Sequence, residues 1–381
     1  MSEPALKLFS ADSHVVEPDH CFVDNIEAKF RDRVPRFIKQ DDGGEVLRFA
    51  DFPPLKAGAL APAGHKLTKP ELASMSLAEV NRGAFDPKQR LLDQERDGLI
   101  GEVIYPTIAM YICGVDDNEF KQAAFWAYNR WLADEFVSHA PERLIGLGLS
   151  SARSVEETLS DLRKFKDMGF RGIMLPVEPS ISEDYHEPVW DKVWAAAVEM
   201  DMPVTFHILA GQVTKKVVDE HHLGRSAGRG PKPNRTQDVL RNLQDLIGLF
   251  IWGGVFERHP GLRFVCTEAD AGWAPHYMQY ADHYYLDRPD RKYDFFIKRK
   301  PSDYFMENVY LTFQRDWVAL NSLHLLNYER LLWANDFPHP DACWLESQEL
   351  LATKAAHLTE EQRSSIVRDN VMKLYGLEPA S

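Results

Sequence analysis

The chain has 381 residues, with 44 Lys and Arg against 58 Asp and Glu, a formal charge of −14. That balance excludes a broad nucleic-acid surface, which needs excess positive charge, and the length suits one α/β barrel with insertions. The four cysteines (Cys21, Cys113, Cys266, Cys343) lie far apart without a CxxC pair, which excludes a disulfide framework as the first expectation and suits a cytoplasmic, reducing setting. Residues 1–10 lack the apolar core of a signal peptide and no run approaches a membrane span, so no membrane partner is expected.

In chain order, "KLFSAD" reads as a short strand, and residues 19–31 as a helix. Residues 41–82, rich in Gly, Pro, Ala and Lys with weak periodicity, read as an excursion over the main body. "DPKQRLLDQERDG" (86–98) is a helix with Asp86 as N-cap, Pro87 in the first turn and Gly98 past the end. The pattern then becomes regular. The strands "IGEVIYPT", "RLIGLGLS", "FRGIMLP" and "PVTFHI" alternate with helices over 118–139, 154–167 and 187–200. A Gly- and Arg-containing loop covers 211–235, before a helix from about 236 to 251. "LRFVCTEA" is a strand, followed by a helix from 273 and a polar, aromatic insertion over 284–306. "NVYLTF" is a strand, followed by a helix near 316–326. "RLLWAND" is the last strand, and two helices close the chain.

Eight strands with helical connections imply parallel pairing and a distorted (β/α)8 TIM barrel in one domain. The alternative is an open doubly wound sheet, but no GxGxxG follows the first strand. In a barrel, chemistry gathers where strands end. Strand one ends in Asp12 and His14, strand five in His207, strand six in Glu268 with Asp270 just beyond, and strand eight in Asp336 with His339 three residues later. Residues two apart on a strand face one way, so Asp12 pairs with His14, and Thr205 and His207 face the lumen while Val204 and Phe206 face the helices. Each residue has a bland reading: a chance Asp-x-His, a core histidine, an Asp that begins a turn. Jointly, imidazole and carboxylate ligands from strands one, five and eight suit one divalent ion, zinc first, with manganese or iron tolerated.

"ADSHVVEP", "FRDRVPR", "FDPKQRLLDQERDGLIGEVIYPT", "MPVTFH", "ERHPGLRFVCTEADAGWAP" and "LLWANDFPHPD" resemble the amidohydrolase superfamily. The branch is the one that holds aminocarboxymuconate semialdehyde decarboxylase, the resorcylate-type decarboxylases and a meta-cleavage-product C–C hydrolase. The resemblance covers nearly the whole chain. It implies a single-metal barrel, with Asp12, His14, His207 and Asp336 as ligands, and an assembly of at least two copies. Two departures stand out. Asp12 replaces a His or Glu common in relatives, which preserves a ligand. Glu268 stands where the decarboxylases usually place a histidine that works on the substrate. Strand four, "IMLPVEP", offers no lysine for the carbamate bridge of binuclear members.

Asp336, Glu268 and His339 are therefore the candidate catalytic groups. His339 either tunes Asp336, contacts substrate, or merely bonds backbone in a turn. For a small-molecule substrate, His221, His222 and Arg225, with Arg229 and Arg235, fit a fork onto a carboxylate; a solvated loop explains them equally. Phe337 and Trp344, together with Tyr111, Trp252 and Trp273, fit an aromatic pocket, against ordinary helix–barrel packing. The first reading of activity is a metal-dependent hydrolase in which activated water attacks a carbonyl. The alternative is a nonoxidative decarboxylase of an aromatic or enoic acid. A noncatalytic metal-binding barrel ranks last.

Overall fold

The computed structural model describes residues 6–41, 43–211, 232–287 and 296–377, with the backbone alone at 69 and 232–236. Twelve strands are described: β1 (Leu8–Val15), β2 (Arg36–Lys39), β3 (Glu45–Arg48), β4 (Leu55–Lys56), β5 (Leu99–Pro106), β6 (Leu144–Gly146), β7 (Gly148–Leu149), β8 (Ile173–Met174), β9 (Val204–His207), β10 (Phe264–Thr267), β11 (Val309–Phe313) and β12 (Leu331–Trp333). The parallel ladders run β1–β5–β6 and β7–β8–β9–β10–β11–β12. β6 and β7 are the two halves of "RLIGLGLS", parted at Leu147, so the order around the sheet is continuous. The ring closes just past β12, where Asp336 N donates to Asp12 O at 3.0 Å and His14 N donates to Phe337 O at 2.6 Å. This is the expected distorted TIM barrel.

Local chemistry explains the element ends. Asp86 Oδ1 accepts from Lys88 N and Gln89 N at the start of the helix Pro87–Asp97, and Gly98 ends it at φ 77°, where a Cβ would be strained. Alternation holds inside the barrel. Thr205 meets Tyr105 and Thr267 in the lumen, at 3.0 and 2.8 Å. Phe206 points outward against Phe250 and Phe264, with ring centroids 5.7 and 4.9 Å away. Such aromatic contacts, rather than helix propensity, anchor the outer layer to the sheet.

Four boundaries differ from expectation. Residues 19–31 form a short helix, Asp19–Val23, and a separate 3-10 turn, Ala28–Phe30. Asn25 Nδ2 bonds Cys21 O there, a side chain competing with the helical ladder. The excursion read at 41–82 starts earlier, with an antiparallel β2–β3–β4 sheet turned at Gly43, φ 87°. The loop read to 235 gives way to a helix at Lys232, since Pro233 is tolerated in a first turn. The insertion read over 284–306 is entered by the helix Ala274–Leu286 and closed by Pro301–Asn308, again with proline at the start.

Candidate metal centre

The ends of β1, β9, β10 and β12 bring the ligand-type residues together. Asp12 Oδ1 lies 3.2 Å from His14 Nε2 and 3.5 Å from His207 Nε2. His14 Nε2 is 3.4 Å from Asp336 Oδ1, and His207 Nε2 is 3.4 Å from Glu268 Oε2. Asp12, His14, His207 and Asp336 are completely buried; the Glu268 side chain is 20% exposed and stands on the open side. Ligand-type atoms of Asp12, His14, His207 and Glu268 lie within 4.8 Å of one another, as do those of His14, Asp336 and His339.

These approaches are close without being hydrogen bonds. Both Asp12 oxygens, both Asp336 oxygens, and Nε2 of His14 and of His207 have no hydrogen-bond partner among the described residues. Buried polar atoms normally pair, because leaving them bare costs about 1–3 kcal/mol each. Six such atoms converging from three strand ends fit a divalent cation by donor chemistry. The far nitrogens are tied down: His14 Nδ1 to Pro106 O and His207 Nδ1 to Ile208 O, each at 2.8 Å. As backbone carbonyls only accept, each Nδ1 carries the proton and each Nε2 presents its lone pair to the cluster.

Among these side chains alone, each titratable group is shifted by burial and by its neighbours. Burial, then His339, pushes His14 down to about 4, so its imidazole is neutral. Burial would raise Asp12, but His207 and His14 outweigh it and hold the carboxylate below its usual range. Burial would lower His207, and Asp12 outweighs that, moving it up. Burial, followed by the charges of Asp336 and Asp12, drives Glu268 well above the usual carboxyl range. Glu268 and Asp336 also take left-handed backbone angles, φ 61° and 56°. Side chains rarely adopt that region, and such strain gathers at functional sites.

A buried frame holds the cluster from below. Arg90, in the helix Pro87–Asp97, donates to His14 O, to Gly83 O at 2.7 Å and to Glu102 at 3.1 Å. Ser13 Oγ lies 3.1 Å from Glu102 Oε1 and 3.0 Å from Asn335 Oδ1, with its one proton shared between them. Asn335 joins β1 to the exit of β12, since its N–H donates to Ser10 Oγ at 3.0 Å and its Oδ1 accepts from Phe337 N at 3.1 Å. None of these residues was singled out in the sequence. Arg90 and Glu102 look like surface charges within their segments, whereas Ser13, between Asp12 and His14, and Asn335, before Asp336, adjoin candidates.

Other candidates fall elsewhere. His339 joins the cluster: its ring stacks on that of His14, with Nδ1 3.1 Å from Asp336 Oδ1 and Nε2 3.0 Å from Thr107 Oγ1. Phe337 and Trp344 pack with Ala63, under Arg90 and Arg96 respectively. Trp344 Nε1 donates to Asp93 O and the ring lies against Gly64, contacts that suit packing. Trp252 and Trp273 line a separate space of about 620 Å3 with Tyr277, Tyr280 and Phe296, apart from the ligands. Tyr111 is nearer: burial, then the charges of Glu268 and Glu17, raises its phenol to about 12. His221, His222, Arg225 and Arg229 lie outside the described residues, as does the side chain of Arg235.

Comparison with known proteins identifies the family and the fold. Residues 106–377 match the family model described as amidohydrolase. The chain is 25% identical over 268 residues to a gamma-resorcylate decarboxylase of Rhodococcus jostii (strain RHA1), covering 66% of this chain and 75% of that one. It is 22% identical over 303 residues to a 2-amino-3-carboxymuconate-6-semialdehyde decarboxylase of Dictyostelium discoideum, covering 79% of each. Among solved structures, an amidohydrolase from Mycobacterium avium subsp. paratuberculosis K-10 superimposes with a TM-score of 0.76 at 18% identity, over 97% of this chain and 99% of that one. A dihydroxybenzoic acid decarboxylase from Polaromonas sp. JS666, with bound manganese and 2-nitroresorcinol, gives 0.68 at 17%, over 98% of each.

Proposed function

Because the chain belongs to the amidohydrolase family, we propose that this metal-dependent enzyme removes carbon dioxide, without oxidation, from an aromatic or enoic carboxylic acid. The relatives named above support this reading over hydrolysis, the first reading from sequence. The observation that carries it is Glu268: a carboxyl on the open side of a fully buried ligand set, 3.4 Å from His207. Decarboxylation needs a cation for the substrate's oxygens and an acid facing its carbon. It needs no attacking water.

In this reading Asp12, His14, His207 and Asp336 hold one divalent ion. Zinc fits the donors, and manganese fits them too, as the ion bound by the Polaromonas decarboxylase. When bound, the ion supplies positive charge that draws electrons from a carboxylate and its neighbouring oxygen. Glu268 delivers its proton to the carbon that bears the carboxylate. The electron pair of the C–C bond then stays with that carbon's π-system as carbon dioxide leaves, and Glu268 recovers a proton from solvent. Asp336, set by its left-handed backbone, orients the reacting group. The buried surroundings exclude water and strengthen each electrostatic contact. Two parts of this proposal are carried from the sequence: a cytoplasmic setting, and an assembly of at least two copies with no nucleic-acid or membrane partner.

One observation favours the second reading. Glu268 occupies the place where decarboxylases usually carry histidine, and a carboxyl there suits passing a proton from water to a leaving group. Turnover of hydroxybenzoate and enoic acids in labelled water separates the two. Decarboxylation predicts one solvent deuterium on the carbon that lost carbon dioxide, and no solvent 18O in the organic product. Solvent 18O in that product, joined to cleavage of a carbonyl substrate, overturns it in favour of hydrolysis.

A further inference from the structure

Three ligand-type atoms, from His14, Asp336 and His339, lie close enough to share an ion, yet the ring geometry separates His339 from the others. A histidine ligates along a lone pair in its own ring plane. The rings of His14 and His339 stack, with centroids 3.9 Å apart and planes at 27°. Planes stacked in this way do not meet within bonding reach, so an ion in the plane of His14 lies outside that of His339. His339 therefore stands beside the ligand set without sharing an ion with His14.

Its two nitrogens face different partners. Nδ1 is 3.1 Å from Asp336 Oδ1, off the hydrogen-bond axis but close enough for an unprotonated nitrogen to be repelled by a carboxylate, which only accepts. Nε2 is 3.0 Å from Thr107 Oγ1, the one side-chain hydrogen bond of that hydroxyl among the described residues. Thr107 is itself anchored. Glu17 Oε2 accepts from Thr107 N and Ile108 N at 3.3 and 2.8 Å, and Oε1 accepts from Ala109 N at 2.9 Å. Glu17 is wholly buried and lies three residues past His14 on the exit of β1, so it ties the exit of β5 to the strand that carries two ligands.

We propose that Thr107, seated by Glu17, is a positioning residue that holds His339 in its Nδ1–H tautomer as a proton donor facing Asp336. The threonine hydroxyl donates to Nε2; the proton is thereby kept on Nδ1, where it steadies the carboxylate. No bond changes and no proton is transferred in this arrangement. It rests on the ligand cluster and stands whether the enzyme decarboxylates or hydrolyses.

The test reads the tautomer directly, by long-range 1H–15N NMR of 15N-histidine protein in the absence of substrate. The His339 signals are assigned by their loss in His339→Gln. The wild-type protein should show a protonated Nδ1 and a bare Nε2 at His339, and Thr107→Ser should match it. The isosteric Thr107→Val should raise the Nε2–H population severalfold and lower kcat about tenfold with KM within twofold. Metal content should stay at the wild-type level in all three variants. A wild-type ring protonated at Nε2 or at both nitrogens overturns the proposal and needs no variant. So does an unchanged tautomer in folded Thr107→Val, or loss of metal from folded His339→Gln.

Discussion

The imidazole of His14 lies face to face with that of His339, their centroids 3.9 Å apart. One ring turns its Nε2 toward Asp12 and Asp336, and the other brings its Nδ1 to the same Asp336 oxygen. A proposed ligand and its neighbour are thus stacked, and Asp336 is the residue that both address. The chemistry expected of Asp336, Glu268 and the two ligand histidines follows from this packing.

Removing an imidazole should remove the metal. His14→Ala and His207→Ala each delete a buried nitrogen that the protein itself leaves unpaired. Elemental analysis should fall from about one ion per chain to about a tenth or less, with turnover lost in parallel. Exhaustive chelation of the wild-type enzyme should abolish activity, and a divalent salt should restore it. Full activity after verified metal removal would exclude the proposed centre.

Asp336 and Glu268 should separate binding from chemistry. Asp336→Asn is expected to abolish turnover. Glu268→Gln keeps shape but cannot give up a proton in the same way, so kcat should fall by about 10²–10⁴ while the metal is largely retained. Metal loss from Glu268→Gln would instead make Glu268 a ligand, as its 3.4 Å approach to His207 allows.

Arg90 should matter to stability before it matters to rate. It is wholly buried, paired with Glu102 and bonded to the carbonyls of Gly83 and His14. Arg90→Met strands the Glu102 charge in the interior, which typically costs about 3–5 kcal/mol. Chemical denaturation should show that loss. Replacing both partners with apolar residues should recover part of it, and a midpoint unchanged by Arg90→Met would contradict the role given to the pair.

Asp97 should leave a mark on the pH dependence of stability. Burial is the main cause that lifts its carboxyl from 3.8 to about 6, against bonds from Ser347 and Asn335. The folded protein therefore holds this proton more tightly than the unfolded chain. Its contribution is fully present below about pH 4 and is lost as pH rises through about 6. Relative to Asp97→Asn, wild-type stability should decline by on the order of 2–3 kcal/mol between pH 4 and 7. A difference that is flat with pH, or grows, would contradict the shift.

Much of the site was legible before any coordinates. The alternation in "PVTFH" assigns Thr205 and His207 to one face, and they share it: Thr205 meets Tyr105 and Thr267 within the lumen. Three strand ends carrying matched ligand types pointed to one cluster, and those side chains come together. The aromatic candidates were not legible in the same way, because composition does not say which way a loop ring turns. Phe337 and Trp344 turn to each other and to Ala63. Asp336 also escapes the alternation rule: at φ 56°, beyond the last residue of β12, it is aimed by its turn and not by strand periodicity.

The amino-acid sequence alone determined the order of strands and helices, the parallel barrel and the ligand chemistry at strand ends, because period, capping and residue type act over a few neighbouring positions. Tertiary structure alone decided that Arg90 and Glu102 are partners beneath His14, that His339 stacks on His14, and that Thr107 and Glu17 stand behind it. Those relationships join residues up to 325 positions apart in the chain. They exist only once closure of the ring brings β1, β5 and β12 side by side, and no local pattern carries that distance.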